Sequence, residues 1–200
     1  GVMLGAFILQ DDIKESAHLT IIELQKMGIE PILLTGDNKE NALYLANILG
    51  IKEVYSEVLP SEKAMKIALI QQNGYKVAMV GDGINDAPAL EQSDVGIALG
   101  SGTQIALDSA DIILVNDDPY DVLKAIKLAK KVTSTIKWNL FWAFFYNVIM
   151  IPVAAGLFNF SIFNYFTLNP MIASALMSVS SIFVVVNALF IKRLNMNKGG

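Results

Sequence analysis

A chain of 200 residues, 54% hydrophobic and 17% charged, has room for one domain or for a smaller domain with an appendage, and it is too apolar to be disordered or low-complexity. With no cysteine, a disulfide framework, a thiolate metal site and a cysteine nucleophile are all excluded. The net charge of −4 conceals a split. All nineteen acids lie at or before Asp121, against seven lysines, for a net −12; the remaining 79 residues carry eight Lys or Arg and no acid, for +8.

Residues 1–118 alternate short apolar runs with amphipathic stretches. The pattern predicts strands at Met3–Leu9, Pro31–Leu34, Lys76–Val80, Val95–Ala98 and Asp111–Val115, and helices at Ile13–Met27, Lys39–Leu49, Ser61–Gln72 and briefly after Asn85. In the first helix, Ala17, Ile21, Leu24 and Met27 keep helical spacing and Gly28 is the stop. Strands separated by helices imply βαβ units and a parallel sheet, an α/β fold whose ligands collect at the carboxyl ends of the strands. His18, the only histidine, falls on the first helix and is expected at the surface with no role.

Three segments fall at such points. In Leu34-Thr35-Gly36-Asp37-Asn38, a hydroxyl and a free amide ahead of a helix N-terminus suit a phosphoryl oxygen, and the same residues serve equally as a plain turn capped by Asp37 or Asn38. In Leu59-Pro60-Ser61-Glu62-Lys63, a lysine in the first turn opposes the helix dipole, which makes sense if it reaches for an anion. Taken singly, a solvated surface lysine accounts for it better. In GDGINDAPAL (81–90), Asp82 and Asp86 flank Asn85 among glycines at a strand end, and hard carboxylate oxygens there suit Mg²⁺ beside a substrate phosphate. A capped glycine turn explains Gly83 and Asn85 but not an acid at each end.

Residues 119–137 read as a stalk helix with lysines at 124, 127, 130 and 131, running on into an apolar run. From Trp138 to Ile191 there are 54 residues without a formal charge. Two 21-residue runs, 138–158 and 171–191, would each rise about 31 Å as helices, matching a hydrocarbon core of ~30 Å. They flank a turn, 159–170, with Asn, Pro and Thr among aromatics. Lys130, Lys131 and Lys137 precede the first run, Lys192, Arg193 and Lys198 follow the second, and the turn has no cation. The positive-inside rule then describes a two-helix transmembrane hairpin with both ends, including the tail 192–200, in the cytoplasm. Trp138 and Trp142 fall at the basic end, where indole rings favour the interface. The alternative is a buried helical pair in a large soluble protein.

TGDN, PSEK and GDGINDAPAL together resemble the haloacid dehalogenase-type phosphorylation domain of P-type ATPases. Asp11-Asp12-Ile13-Lys14 is similar to that family's D-x-x-K/R element, and DVGIALGSGT and SADIILVNDD to its continuation. The two apolar runs fall where the family has its last two membrane helices. Tyr146-Asn147 and Met177-Ser178-Val179-Ser180-Ser181 resemble the Y-N and M-x-x-S-S signatures of the Cu(I)-exporting heavy-metal branch. A thioether is a soft ligand suited to Cu(I), and Met177 and Ser181, four apart, share a helix face. Apart from the resemblance, serines that permit close packing and a space-filling methionine explain this segment better.

The resemblance implies a partial Rossmann-like sheet domain followed by the hairpin, an integral membrane protein with its phosphorylation domain in the cytoplasm, at the cell membrane. Asp82 and Asp86 would hold Mg²⁺, Asn85 would orient the phosphoryl group, Thr35 and Gly36 would bind its oxygens, and Lys63 would neutralise them. Asp37 and Asp11 would shape the hinge and nucleotide contacts; Tyr146, Asn147, Met177 and Ser181 would line part of the Cu(I) path. The expected substrate is ATP and the expected partners are the bilayer, the rest of the ATPase polypeptide and a soluble copper chaperone, with no nucleic acid. The family's D-K-T-G nucleophile and its intramembrane C-P-C pair do not occur in these residues. The chain is therefore expected to be the C-terminal portion of the exporter and inactive alone. An exporter of Ag(I) or Zn²⁺ and a truncated, non-enzymatic membrane module are the rival expectations.

Overall fold

The computed structural model describes residues 13–154, 178, 182 and 184–189. The expected strand 3–9, Asp11, the turn 159–170, Met177, Ser181 and the tail 192–200 lie outside the described residues. The chain divides into two compact units, Gly1–Ala125 and Ile126–Gly200.

In the first unit the described elements are helix α1 (Glu15–Lys26), strand β1 (Ile32–Leu34), α2 (Lys39–Leu49), β2 (Glu53–Tyr55), α3 (Pro60–Gln72) and β3 (Ala78–Gly81). A 3-10 turn (Ile84–Asp86) leads into α4 (Ala87–Gln92), followed by β4 (Val95–Leu99), α5 (Gln104–Asp108) and β5 (Ile112–Leu114). All pairings are parallel: β1 with β2 in one sheet, and β3-β4-β5 in that order in another. The parallel α/β architecture is thus the one expected. β2 and α5 were not expected, because three and five residues are too few for a period to show.

Local chemistry sets the boundaries. Asn38 caps α2 by accepting the Asn41 N–H at 2.9 Å, and Gly50, at φ 72°, ends it in a left-handed turn that a side chain would strain. Pro60 opens α3, and the Glu62 carboxylate reaches back to the Leu59 N–H at 3.1 Å. The core between helices and sheet is built from small residues, Ala42, Ala46, Ala89, Ala98 and Ala106, around the fully buried Ile67, Leu90, Ile97 and Leu123. Small side chains let the backbones approach closely. At Gly100 a Cβ would stand 2.5 Å from the carbonyl oxygens of both Leu114 and Val115, so only glycine fits.

Asp94 is a second organiser. Its carboxylate accepts from Lys76 Nζ at 2.7 Å, the Val77 N–H at 3.0 Å and Gln71 Nε2 at 3.0 Å. The Lys76 bond, then the Val77 amide and the Gln71 amide, hold it well below the usual carboxylate range.

Helix α6 (Pro119–Ala154) is 36 residues long and crosses the division between the units. Among the described residues no helix is long and apolar enough to cross a membrane. Between Pro119 and Lys137 α6 carries six charged side chains, and the described part of the apolar run stops at Ala154, short of the ~20 residues that a span needs. In the second unit, large apolar side chains of α6 point outward, among them Trp138, Leu140, Phe144 and Val148, as do Ile182, Val185 and Leu189 further along. One polar pair stands among them: Asn187 Nδ2 donates to Asn139 Oδ1 at 2.6 Å across 48 residues of sequence.

Candidate phosphoryl and metal site

Two loops at strand carboxyl ends carry the expected residues. After β1, the Thr35 N–H donates to the Tyr55 carbonyl at 2.9 Å, extending the parallel ladder by one rung. Two further bonds clamp the loop to the chain beyond β2: Glu57 N–H to the Asp37 carbonyl, 2.8 Å, and Val58 N–H to the Thr35 carbonyl, 3.1 Å. Glu57 sits at φ 56°, a left-handed conformation uncommon without glycine. The Thr35 hydroxyl accepts the Asp37 N–H at 3.1 Å, so its own proton is left to donate. Because Asn38 is the helix cap, the exposed Asp37 carboxylate is not used for capping. Gly36 is exposed, with its Cα facing the Val58 carbonyl.

The second loop follows β3. Asp86 folds back over the strand end: a Cβ on Gly81 would stand 2.7 Å from Asp86 Cβ and 3.0 Å from its Oδ2. Its Oδ2 accepts the Gly83 N–H at 3.2 Å and its Oδ1 accepts from Lys63 Nζ at 2.7 Å. Both side chains of this ion pair are only 13% exposed, so Lys63 is no solvated surface lysine. α3 presents it from its first turn, and the segment just before α3 is the one clamped to the Thr35 loop. Asp82 and Asn85 are exposed, and among the described residues the Asp82 carboxylate makes no hydrogen bond or ion pair.

These donors fit a magnesium ion. Mg²⁺ uses one or two carboxylates and keeps several waters. The glycine at 81 leaves the space through which Asp86 turns toward the strand end from which Asp82 projects. Among the described residues no group of three or more acidic, His or Cys side chains gathers for a metal.

Sequence reasoning missed a third contributor. Thr103 donates its N–H to the Asp82 carbonyl at 2.8 Å and caps α5 with its hydroxyl, which accepts the Ala106 N–H at 3.4 Å. A Cβ on Gly102 would stand 3.0 Å from the same Asp82 oxygen, so the G-S-G-T segment closes over the Asp82 backbone. The paired glycines before a Ser/Thr cap were the available signal. In the second unit, Tyr146 is half-buried on α6, and Asn147 Nδ2 donates to the Ala143 carbonyl at 2.9 Å, one turn back on the helix.

Residues 3–94 match the haloacid dehalogenase-like hydrolase family, and residues 63–126 match a second haloacid dehalogenase-like hydrolase family. The chain is 43% identical over 196 residues to a copper-exporting P-type ATPase of Legionella pneumophila, covering 98% of this chain and 26% of the relative. It is 43% identical over 192 residues to copper-transporting ATPase 2 of Homo sapiens, covering 96% of this chain and 13% of the relative. Against copper-transporting ATPase 2 of Rhizobium meliloti it is 46% identical over 195 residues, 98% of this chain and 23% of the relative. It therefore spans about an eighth to a quarter of the length of these relatives. Among solved structures, a zinc-transporting PIB-type ATPase in an E2.Pi state superposes with a TM-score of 0.78 at 31% identity, over 91% of this chain and 28% of that one. The catalytic domain of the CPx-ATPase CopB-B gives 0.53 at 39% identity, over 57% and 45%. The chain thus carries a haloacid dehalogenase-like domain that closely matches copper-exporting P-type ATPases in sequence and a PIB-type ATPase in structure. These relatives are ion-translocating ATP hydrolases.

Proposed function

We propose that this chain supplies the magnesium- and phosphoryl-binding half of the phosphorylation site of an ATP-driven Cu(I) exporter, together with a two-helix membrane hairpin, 138–158 and 171–191, that carries part of the ion's path. The observation that carries the reading is the Lys63–Asp86 pair, 2.7 Å long and largely withdrawn from water at the carboxyl end of β3. A surface helix gains little from placing a lysine in its first turn, whereas a phosphoryl group needs a cation there.

Asp82 and Asp86 would hold Mg²⁺, which when bound screens the charge on the phosphoryl oxygens. Lys63 has three ammonium donors and spends one on Asp86, so two are left for a phosphoryl oxygen and water. The Thr35 hydroxyl and the Gly36 amide would hold the other oxygens, and Asn85 would orient the group. Asp37 and Asp11 would shape nucleotide contacts. The accepting aspartate would come from polypeptide outside this sequence. The γ-phosphoryl of ATP passes to that carboxylate with ADP leaving, and water then attacks phosphorus to release inorganic phosphate.

For the cargo, Tyr146, Asn147, Met177 and Ser181 would line the path, the methionine thioether favouring a soft monovalent ion. No charged residue occurs between 138 and 191, and a divalent cargo would favour one. The similarity to a zinc-transporting structure keeps a Zn²⁺ exporter as the second reading, and Ag(I) shares the chemistry of Cu(I). The partners are the bilayer, the remaining polypeptide and a soluble copper donor, with the first unit on the cytoplasmic side.

Metal-stimulated ATP hydrolysis by the full-length polypeptide bearing this sequence tests the reading. Cu(I) should stimulate and Zn²⁺ should not, and Lys63→Met should lower turnover by about 10²-fold or more. Stimulation by Zn²⁺ alone would transfer the assignment to the second reading. The 200-residue chain by itself should form no acid-stable, hydroxylamine-labile adduct with ATP and Mg²⁺.

A further inference from the structure

One face of α6 combines lysines with aromatic rings. At 100° per residue, Lys130, Lys131, Ser134, Lys137, Trp138, Phe141, Trp142 and Phe145 fall within a single arc of about 140°. The three lysines and Ser134 are exposed. Beyond them the four rings form a ladder. Trp138 lies 5.5 Å from Phe141 and 6.1 Å from Trp142, and Phe145 stacks on Phe141 at 5.7 Å and meets Trp142 edge-on at 5.6 Å. These rings are 40–57% exposed. One face therefore changes from cationic to aromatic within two turns.

We propose that this face is a docking surface for anionic phospholipid headgroups, the rings lying at the acyl boundary and Lys130, Lys131 and Lys137 on the lipid phosphates. The inference rests on the proposed membrane hairpin and adds a lipid preference to it. Charge complementarity selects the lipid. No acidic residue follows Asp121, so the second unit contains no carboxylate to neutralise the lysines. Three like charges within eight residues repel one another until an anion intervenes. Lys137 adjoins Trp138, and Lys130 and Lys131 stand about 10–12 Å further along the axis, within roughly one Debye length of a headgroup plane marked by the indoles. Their aliphatic stems can lie along the helix and carry the ammonium groups toward the phosphates. A zwitterionic headgroup offers no net charge to this collar.

The protein contains its own reporter, because Trp138 and Trp142 are the only tryptophans in its 200 residues. The chain is reconstituted into mixed phosphatidylcholine and phosphatidylglycerol bilayers in which one lipid or the other is brominated, and tryptophan quenching is compared at equal mole fractions. Brominated phosphatidylglycerol should quench more, with a relative association constant of about three to ten. Salt near ~0.5 M should reduce that ratio. The variant K130Q/K131Q/K137Q should bring it close to one while leaving quenching in pure brominated phosphatidylcholine unchanged, and K130R/K131R/K137R should keep it. Equal quenching by the two lipids in the native chain overturns the proposal and leaves the hairpin standing. Quenching by neither lipid overturns the hairpin and the proposal with it.

Discussion

The two units use apolar side chains in opposite directions. In the first, alanines and a few large aliphatic residues are buried under helices, and carboxylates satisfy backbone amides at the edges: Asp94 on Val77, Asp111 on Gly96, Asp86 on Gly83. In the described part of the second, large apolar residues face outward beside exposed lysines, and several uncharged polar groups bond to the helix or to each other. The Thr135 hydroxyl donates to the Lys131 carbonyl, Asn147 to Ala143, and Asn187 to Asn139. An aqueous domain hides carbon and leaves charge outside, as the first unit does, and the outward-facing carbon of the described second unit is the opposite pattern.

Truncation is the sharpest way to break it. Leu123, fully buried in the first unit, should cost about 2–5 kcal/mol as Leu123→Ala, read by chemical unfolding in detergent. Leu140, 54% exposed on the same helix but in the second unit, should cost less than about 0.5 kcal/mol as Leu140→Ala. Equal costs would end the comparison. Next in size is Gly81→Ala. Its methyl must displace Asp86, at about 1–3 kcal/mol, and magnesium affinity measured by titration calorimetry should fall in parallel.

For the second unit, a double-mutant cycle on Asn139→Leu and Asn187→Leu should give a coupling of about 0.6–1.7 kcal/mol in a bilayer-like medium. Additive single effects would mean that the amide pair holds nothing. The smallest effect concerns pH in the first unit. The Lys76 bond and the Val77 amide depress the folded-state titration of Asp94, so the stabilisation it supplies is present above the unfolded carboxylate value of about 3.9 and is lost as pH falls below it. Asp94→Asn should flatten the acid limb of the stability profile below pH ~4 and leave the second unit's helicity unchanged.

How legible all this was depended on length and on reach. The extent of α2 could be read to the residue because Asn38 and Gly50 are local stop signals, whereas β2 and α5 are shorter than any period. The residue types of the site were visible in TGDN, PSEK and GDGINDAPAL. Lys63 alone looked like a surface lysine, because its burial and its bond to Asp86 span 23 residues of sequence. Thr103 was overlooked for the same reason: its contact is to a backbone carbonyl 21 positions earlier.

By itself the sequence determined the parallel α/β class, the acidic and basic halves, the uncharged stretch of 54 residues and the identities of the chemical groups, since each is a matter of composition and local period. The tertiary structure decided which of those groups meet. Asp86 turns over a position where only glycine leaves room, Lys63 leaves water to join it, and two asparagines 48 residues apart pair in an apolar setting. Those outcomes depend on where backbones pass each other, and no local pattern encodes the distance between distant segments.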